Sequence, residues 1–149
     1  MSTPILIQIY EVQTPSEAEK LIALGVDHIG SVVVSKKSWK IPEIRDTVNR
    51  IHGAGGRSSL IPLFSDLDAI CSILDYYRPD VVHFCEVLSW QNEHAKTWDK
   101  LVLLQKNVKK RFPEIVIMRS IAIHLPGIGD FFATLDLARM FEPVSDYFL

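Results

Sequence analysis

The chain has 149 residues, 48% of them apolar, which is enough to bury one sizeable core. Its 16 basic and 18 acidic residues leave a net charge of −2, and this balance excludes a global field that would attract nucleic acid or an anionic membrane. The two cysteines, Cys71 and Cys85, are too few for a disulfide framework or a four-ligand zinc site. Because the sequence shows no signal-peptide pattern and no apolar run near the ~20 residues of a membrane span, we expect a cytoplasmic protein.

Short apolar runs with strand character alternate with helical patterns along the chain. The first helix is predicted at "TPSE", where Thr14 can cap, Pro15 suits the first helical position and Glu17 can complete a capping box. Pro42 begins a second helix, and Ser65 is predicted to cap a third. Apolar stripes predict a fourth and a fifth helix over residues 98–112 and 132–141. The predicted strands lie near residues 5–10, 27–34, 58–64, 80–85, 115–123 and 145–149.

Continuously apolar strands that alternate with helices indicate a parallel sheet covered by helices, in a single domain over residues 1–149. A weak repeat supports this, since "GVDHIG", "RPDVVHF" and "PVSDYFL" each place an aspartate where a strand begins after a helix. We interpret these aspartates as structural turn residues at the amino-terminal end of the strands. Five and a half units cannot close an eight-stranded barrel, so an open doubly wound sheet and an incomplete barrel are the two alternatives.

Strand-by-strand detail favours the incomplete barrel. The segment "IQIYEVQTPSEAEKLIALGVDHIGSVVV" resembles the opening of the phosphoribosylanthranilate isomerase family, whose first strand typically reads K-I-C-G and whose second reads G-A-D-x-I-G-F-V-F. The fourth strand, "DVVHFCE", is similar to the family's D-V-V-Q-L-H-G, and "DYFL" is similar to the start of its sixth strand. The resemblance predicts a (β/α)8 barrel fold of which the chain supplies six parallel strands in the order 1-2-3-4-5-6.

The resemblance also implies a chemistry. Members of this family use neither metal nor cofactor, and they isomerise an N-linked phosphosugar by an Amadori rearrangement in tryptophan biosynthesis, which needs a general acid and a general base. The family uses a cysteine at the end of strand one and an aspartate at the end of strand six. Here Tyr10 stands at the cysteine position, Glu11 replaces the glycine after it, and the aspartate position falls two residues beyond Leu149. We therefore expect no cofactor, no metal and a small phosphorylated sugar as substrate.

Glu11 and Tyr10 are the predicted catalytic residues. Glu11 is the better base, since a carboxylate is ionised at neutral pH and burial would make it more basic, and Tyr10 can donate a proton. The alternative is that both residues merely end an ordinary strand.

Seven further residues are predicted to bind substrate, because all lie at or near the carboxyl ends of predicted strands. Lys40 can pair with an anion and Trp39 can stack on a ring, although "SKKSWK" is also typical of a solvated basic loop. Arg119 lies in a buried run and is predicted to face the barrel centre, where it would meet a carboxylate or substrate. The remaining candidates are His83 and Cys85, which alternation places together on the barrel interior, Glu86 on the opposite face, and His124.

Two functions from different classes remain. The first is a phosphoribosylanthranilate isomerase-like enzyme that acts on a phosphorylated sugar or a related substrate, in a natural chain that continues for roughly 70–90 residues on the scale of a whole barrel. The second is a non-catalytic open-sheet module that acts through a partner. Self-association is expected if the chain ends at Leu149, because an uncovered parallel edge exposes apolar side chains.

Overall fold

The structure is a computed structural model. It describes residues 5–88, 95–123 and 131–149, with all of their side chains except those of residues 95–97 and 131–133. Strands and helices alternate throughout these ranges. The strands are β1 Gln8–Ile9, β2 His28–Val33, β3 Arg57–Pro62, β4 Val81–Phe84, β5 Val116–Arg119 and β6 Tyr147–Phe148. The helices are α1 Pro15–Ala23, α2 Pro42–Gly53, α3 Leu67–Tyr77, α4 Ala95–Arg111 and α5 Phe131–Phe141, followed by a 3-10 turn over Glu142–Val144. None of these helices is both long enough and apolar enough to cross a membrane.

The six strands form one sheet in the order β1-β2-β3-β4-β5-β6, and every neighbouring pair is parallel. The predicted strand order of an incomplete barrel is therefore confirmed. A doubly wound sheet would instead reverse its order at a switch point and place β1 in its interior.

The sheet is strongly curled. In a flat sheet, four strand spacings of about 4.8 Å would separate β1 from β5 by roughly 19 Å. In this structure the hydroxyl of Tyr10, which follows β1, lies 3.6 Å from the sulfur of Met118 on β5. The ring of Tyr10 also lies 5.3 Å from the ring of His83 on β4, centroid to centroid. The inner face of the sheet thus closes on itself as the inside of a barrel does.

The main core lies between the outer face of the sheet and the helices. Residues of β3, β4 and β5, namely Leu60, Val82, Phe84 and Ile117, are fully buried there. They pack against the apolar stripes of α3 and α4 and against Phe141 of α5. Burial of each such side chain contributes about 1.5–3 kcal/mol, so this layer is the main source of stability.

Local capping follows the sequence in α1 and departs from it in α3. The Thr14 hydroxyl accepts a hydrogen bond from the backbone N–H of Glu17 and donates one to its carboxylate, at 3.4 and 2.8 Å. In α3 the cap is Asp66, whose carboxylate accepts from the N–H of Ala69 at 3.0 Å. The prediction that Ser65 caps α3 is wrong, because its hydroxyl donates instead to the carboxylate of Glu86.

The three repeated aspartates fasten the amino-terminal ends of the strands. The carboxylate of Asp27 accepts from the N–H of Ile7, which precedes β1, at 2.9 Å. In the same way Asp80 accepts from Ser58 of β3 at 2.7 Å, and Asp146 accepts from Ile117 of β5 at 2.8 Å. Each aspartate at the start of an even-numbered strand therefore holds the start of the odd-numbered strand before it. We call these three contacts the aspartate clamps.

The clamps also connect the pairs of strands to one another. The backbone carbonyl of Asp27 accepts from Arg57 at the start of β3, and that of Asp80 accepts from Val116 at the start of β5, both at 3.0 Å. Asp27 thus fixes the register of β1 and β3, and Asp80 fixes that of β3 and β5.

The charged form of each clamp is stabilised in the folded protein. Burial alone would raise the pKa of the Asp80 carboxyl, but the N–H of Ser58 and the nearby His52 hold that pKa below its ordinary value. Burial likewise opposes ionisation of Asp146, and the N–H of Ile117 together with Lys109 outweighs it and lowers the pKa.

We expect the clamps to make stability depend on acid pH. Because the folded-state pKa values of Asp80 and Asp146 are lowered, their contribution is fully present above the ordinary pKa near 4 and is lost as pH falls through the folded-state values. Asp80→Asn should lower the free energy of unfolding at pH 7 by about 1 kcal/mol, a charged hydrogen bond discounted for partial exposure. It should also flatten the decline between about pH 5 and pH 2. Urea unfolding at several pH values measures both effects.

The exposed carboxylate of Glu43, in the first turn of α2, provides the matched control. Glu43→Gln removes an exposed carboxylate that holds no strand, and so it reports the change that loss of a surface charge alone produces. An acid limb that is equally steep in the Asp80→Asn protein would contradict a stabilising role for the clamp.

Candidate functional site

A polar and aromatic cluster occupies the inner face of the curled sheet near the carboxyl ends of the strands. Tyr10 follows β1 and His83 is on β4. Met118 is on β5 and Ser120 directly follows that strand, two positions later, so both point to the same face. The Nε2 atom of His83 lies 2.7 Å from the hydroxyl oxygen of Ser120. We call Tyr10, His83, Met118 and Ser120 the interior cluster.

His83 is buried, with 4% of its surface exposed, and it is uncharged at neutral pH. Burial and, to a lesser degree, the positive charge of Arg119 lower its pKa, the negative charge of Glu86 partly opposes them, and the resulting pKa is about 4. Its Nδ1 atom is buried and has no hydrogen-bond partner in the described part of the chain. A neutral imidazole carries one donor and one acceptor nitrogen, so this residue has an unused hydrogen-bonding atom inside the sheet.

Tyr10 keeps its proton. Burial raises the pKa of its hydroxyl, and the thiol of Cys85 adds to that effect. The hydroxyl is directed at the sulfur of Met118, a weak acceptor, so it remains available as a donor. Tyr10 and His83 together therefore place a neutral acid beside a neutral imidazole.

Cys85 is half-buried and lies two positions after His83, on the same face by strand alternation. Burial raises the pKa of its thiol, and the carboxylate of Glu86 raises it as well. The thiol therefore stays protonated at neutral pH, and reactive cysteines are thiolates.

Glu11 is exposed, so it lacks the burial that its predicted role as a base requires. Its backbone has φ of 62°, in the left-handed region that favours glycine. In the resembling family a glycine occupies this position. Glu11 therefore adopts, with a side chain, a backbone conformation that a glycine would adopt without strain.

Arg119 turns away from the barrel centre, and the prediction that it faces the centre is wrong. Its Nε donates to the Gln105 side chain on α4 at 2.7 Å, and its guanidinium lies 4.6 Å from the ring centre of Phe141 on α5. The physical reason is strand alternation, since Met118 takes the inward position and its neighbour must point to the helices. Glu86 lies on the same outer side and receives a 2.5 Å hydrogen bond from Arg119.

Trp39 and Lys40 lie against the last turn of α3. The Trp39 ring packs edge-on against Tyr76, and the Lys40 amine lies over both rings, 5.2 and 5.9 Å from their centres. The hydroxyl of Tyr77 donates to the backbone carbonyl of Trp39 and accepts from the N–H of Ile41. These contacts draw the loop after β2 toward the helical layer and away from the interior cluster.

The structure thus brings together some of the predicted site residues and separates others. Tyr10 and His83 meet on the inner face, whereas Arg119 and Glu86 meet on the outer face, and His124 lies outside the described residues. Ser120 and Met118 were not predicted. Strand alternation in "VIMRS" places Met118 and Ser120 on one face and Arg119 on the other. The sequence does not say which of the two faces points inward. Among the residues that the structure describes, there is no group of three or more side chains suited to hold a metal ion.

Solved structures with this fold include two phosphoribosylanthranilate isomerases. The enzyme from Thermotoga maritima superposes with a TM-score of 0.67 at 12% identity, covering 97% of this chain and 62% of that one. N-(5'-phosphoribosyl)anthranilate isomerase from Pyrococcus furiosus gives 0.63 at 11% identity, covering 97% and 64%. The fold is that of an incomplete (β/α) TIM barrel. The chain spans about 62% of the length of the Thermotoga protein.

The same fold occurs in other barrels. A xylose isomerase-like TIM barrel/4-hydroxyphenylpyruvate dioxygenase fusion protein gives a TM-score of 0.62 at 13% identity, covering 97% of this chain and 26% of that one. The sequence matches no protein-family model and no curated protein. The resemblance to the phosphoribosylanthranilate isomerase barrel is therefore confirmed for the fold.

Gly30 on β2 makes room for the ring of Tyr10. A Cβ atom at Gly30 would lie 2.8 Å from Cδ1 of Tyr10, closer than such atoms approach, and 3.4 Å from a methyl of Ile61. The ring cannot move aside freely because it also contacts His83 and Met118. The absence of a side chain at Gly30 is thus a condition for the interior cluster.

We expect Gly30→Ala to lower the free energy of unfolding by about 1–3 kcal/mol, as overpacking of a filled interior does. Adding Tyr10→Leu, which removes the ring, should recover part of this loss, and the double-mutant cycle measured by urea unfolding reports the coupling. Gly53→Ala, at a helical glycine with open space around it, is the control and should not destabilise. Purely additive effects of the two changes would contradict the close contact.

Proposed function

We propose that the chain is part of an isomerase that transfers a proton on a small phosphorylated sugar, with the interior cluster as its acid–base centre. The observation that carries this proposal is the pairing of a buried neutral His83, which has an unpartnered Nδ1, with the protonated Tyr10 hydroxyl. Both lie near the carboxyl ends of strands, the end at which barrel enzymes carry their active sites.

The chemistry of an aldose–ketose rearrangement suits this pair. One group must take a proton from the carbon beside the carbonyl or imine, and another must donate a proton to the developing oxygen or nitrogen. A neutral imidazole can perform the first step, and a phenol can perform the second. In this proposal His83 takes the role of base that the sequence assigned to Glu11, and Tyr10 keeps its predicted role as donor.

The cluster would bind the uncharged part of the substrate. Lys40 contacts aromatic rings at α3, and Arg119 contacts α4 and α5, so neither cation lines the interior cluster. The hydroxyls of Ser120 and Tyr10 and the imidazole of His83 are suited to the hydroxyl and carbonyl groups of a sugar.

Proton exchange tests the proposal on the natural protein. It should isomerise phosphoribosylanthranilate or a simple aldose phosphate, with incorporation of deuterium from D2O at the carbon that loses its proton. His83→Asn should lower kcat by about 100- to 10,000-fold and Tyr10→Phe should lower it too, because each removes a proton-transfer group. Since the pKa of His83 is about 4, kcat/KM should be flat at neutral pH and fall as pH approaches 4.

Two variants on the outside of the barrel serve as matched controls. His52→Asn and Tyr76→Phe make the same chemical changes at residues that contact Asp80 and Trp39, remote from the cluster. They should retain activity. Full activity in the His83→Asn protein, or no exchange with any of these substrates in the unmodified protein, would contradict the proposal.

A second function is favoured by the exposed apolar residues along the two edge strands. On the β1 edge Ile5 and Leu6 are 88% and 61% exposed, and on the β6 edge Phe148 and Leu149 are 44% and 58% exposed. An edge strand also presents unpaired backbone groups that another strand can bind. We infer that copies of the chain associate through these edges where no further strand covers them.

The oligomeric state tests this second function. Light scattering should show a mass above 16.9 kDa for the chain, and Leu6→Lys combined with Phe148→Lys should shift the mass toward the monomer, because a charge opposes burial of the edge. Leu24→Lys is the matched control, since Leu24 is 80% exposed at the end of α1 and lies on neither edge. A monomeric unmodified chain, or equal dissociation by the control, would contradict association through the edges.

A further inference from the structure

Arg119 is the largest fully buried side chain in the described part of the chain, and it carries a charge. It lies between two aromatic rings, 5.3 Å from the centre of Phe84 and 4.6 Å from that of Phe141. Its Nη1 donates to Glu86 at 2.5 Å, and its Nε donates to Gln105 at 2.7 Å. Burial of a charge is costly unless such partners compensate for it, so this arrangement requires an explanation beyond packing.

The ion pair connects parts of the fold that are far apart in sequence. The second oxygen of Glu86 accepts from the hydroxyl of Ser65, in the loop after β3, at 2.6 Å. The amide of Gln105 on α4 donates to the carbonyl of Val144 and to the hydroxyl of Ser145, just before β6, at 3.0 and 2.9 Å. The pair thus joins the loop after β3 and the ends of β4 and β5 to α4 and to the start of β6.

The same residues stand directly behind the interior cluster. Arg119 is paired in register with Phe84, and its inward-pointing neighbours are Met118, which contacts Tyr10, and Ser120, which contacts His83. Fixing Arg119 on the outer face therefore fixes the residues that hold the cluster on the inner face. On the neighbouring strand, the outward-pointing Phe84 and Glu86 likewise stand on either side of Cys85, which points inward.

We propose that Arg119 is a positioning residue for His83: its ion pair with Glu86 holds the ends of β4 and β5 in the register that sets the imidazole against Tyr10 and Ser120, and its charge lies behind that imidazole. This inference deepens the acid–base role proposed for His83 and rests on it for its functional meaning. Its structural content is independent of any substrate.

The positive charge of Arg119 affects the protonation of His83 in one direction. The titratable and charged groups near the imidazole are Tyr10 after β1, Cys85 and Glu86 after β4, and Arg119 on β5. The phenol and the thiol are neutral at neutral pH. Of the two ions, Arg119 opposes a second positive charge more strongly than Glu86 favours it, and the result adds to the effect of burial. The pair therefore favours the neutral form of the imidazole.

A purely structural role for the pair predicts something different. In that case replacing either partner would lower stability, as breaking a buried ion pair does, while the pKa of His83 would follow only its burial. The charge of the substituent would then make no difference to the titration of His83.

NMR titration of the His83 ring separates these cases, with the fold checked at each pH. Arg119→Gln, which removes the charge, should raise the pKa of His83 from about 4 by about one unit. Arg119→Lys, which keeps the charge, should leave it close to the wild-type value even where stability falls. Glu86→Gln should shift it the other way, to a lower pKa, because the carboxylate that favours imidazolium is gone.

The outcome is decided by the sign of these shifts. Equal His83 pKa values in the Arg119→Gln and Arg119→Lys proteins would overturn the proposal. Where Arg119→Gln does not fold, Glu86→Gln is decisive by itself, and an unchanged or raised pKa in that protein would overturn it too. Because the titration uses no substrate, its failure is distinguishable from a failure of the isomerase proposal, which only the exchange assay reports.

Discussion

Closure of the inner face around the Tyr10 side chain is the contact on which the site depends. A curled parallel sheet brings side chains from distant strands into one layer, and that layer has to be filled as densely as any core. The side chain of Tyr10 fills this layer by extending from the end of β1 to β4 and β5. Its ring fits there because Gly30 carries no side chain. The position that holds a catalytic cysteine in the resembling family thus holds a residue that fills the interior here, and its hydroxyl is the group that we propose as proton donor.

The two ends of the strands are stabilised by different means. At the amino-terminal end, carboxylates of aspartates receive backbone N–H groups and set the register. Toward the carboxyl end, the inner face carries neutral hydrogen-bonding groups while the charged pair of Arg119 and Glu86 lies on the outer face. This separation is typical of barrels, in which one end supplies stability and the other supplies chemistry.

Much of the fold was predictable from the sequence because its signals are local and repeated. Apolar runs, helix starts and the recurring aspartates predicted six parallel strands that alternate with helices, and the family resemblance predicted their chain order and their curl. The site was less predictable. A charged residue inside an apolar strand reveals that it needs a partner but not which face it occupies, and so Arg119 was assigned to the wrong side.

Loop residues were harder still. Trp39 and Lys40 follow β2, and the sequence does not encode whether the loop turns inward or runs along the neighbouring helix. The aromatic partners at the end of α3, Tyr76 and Tyr77, decide this through contacts that span more than thirty positions of the chain. Similarly, Ser65 and Asp66 are both good capping residues. The hydroxyl of Ser65 donates to Glu86, and Asp66 caps α3 instead.

The aspartate clamps recur at every second strand, and this spacing has a consequence for how the fold can be rearranged. Each carboxylate joins β1 to β2, β3 to β4, or β5 to β6, whereas the backbone N–H groups of Arg57 and Val116 join one pair to the next at that end. At the amino-terminal end of the sheet, the side-chain contacts are therefore organised in blocks of two β/α units. Duplication, domain insertion and circular permutation should be tolerated best at the boundaries between blocks, in the segments between β2 and β3 and between β4 and β5, where a cut leaves every carboxylate with its own strand.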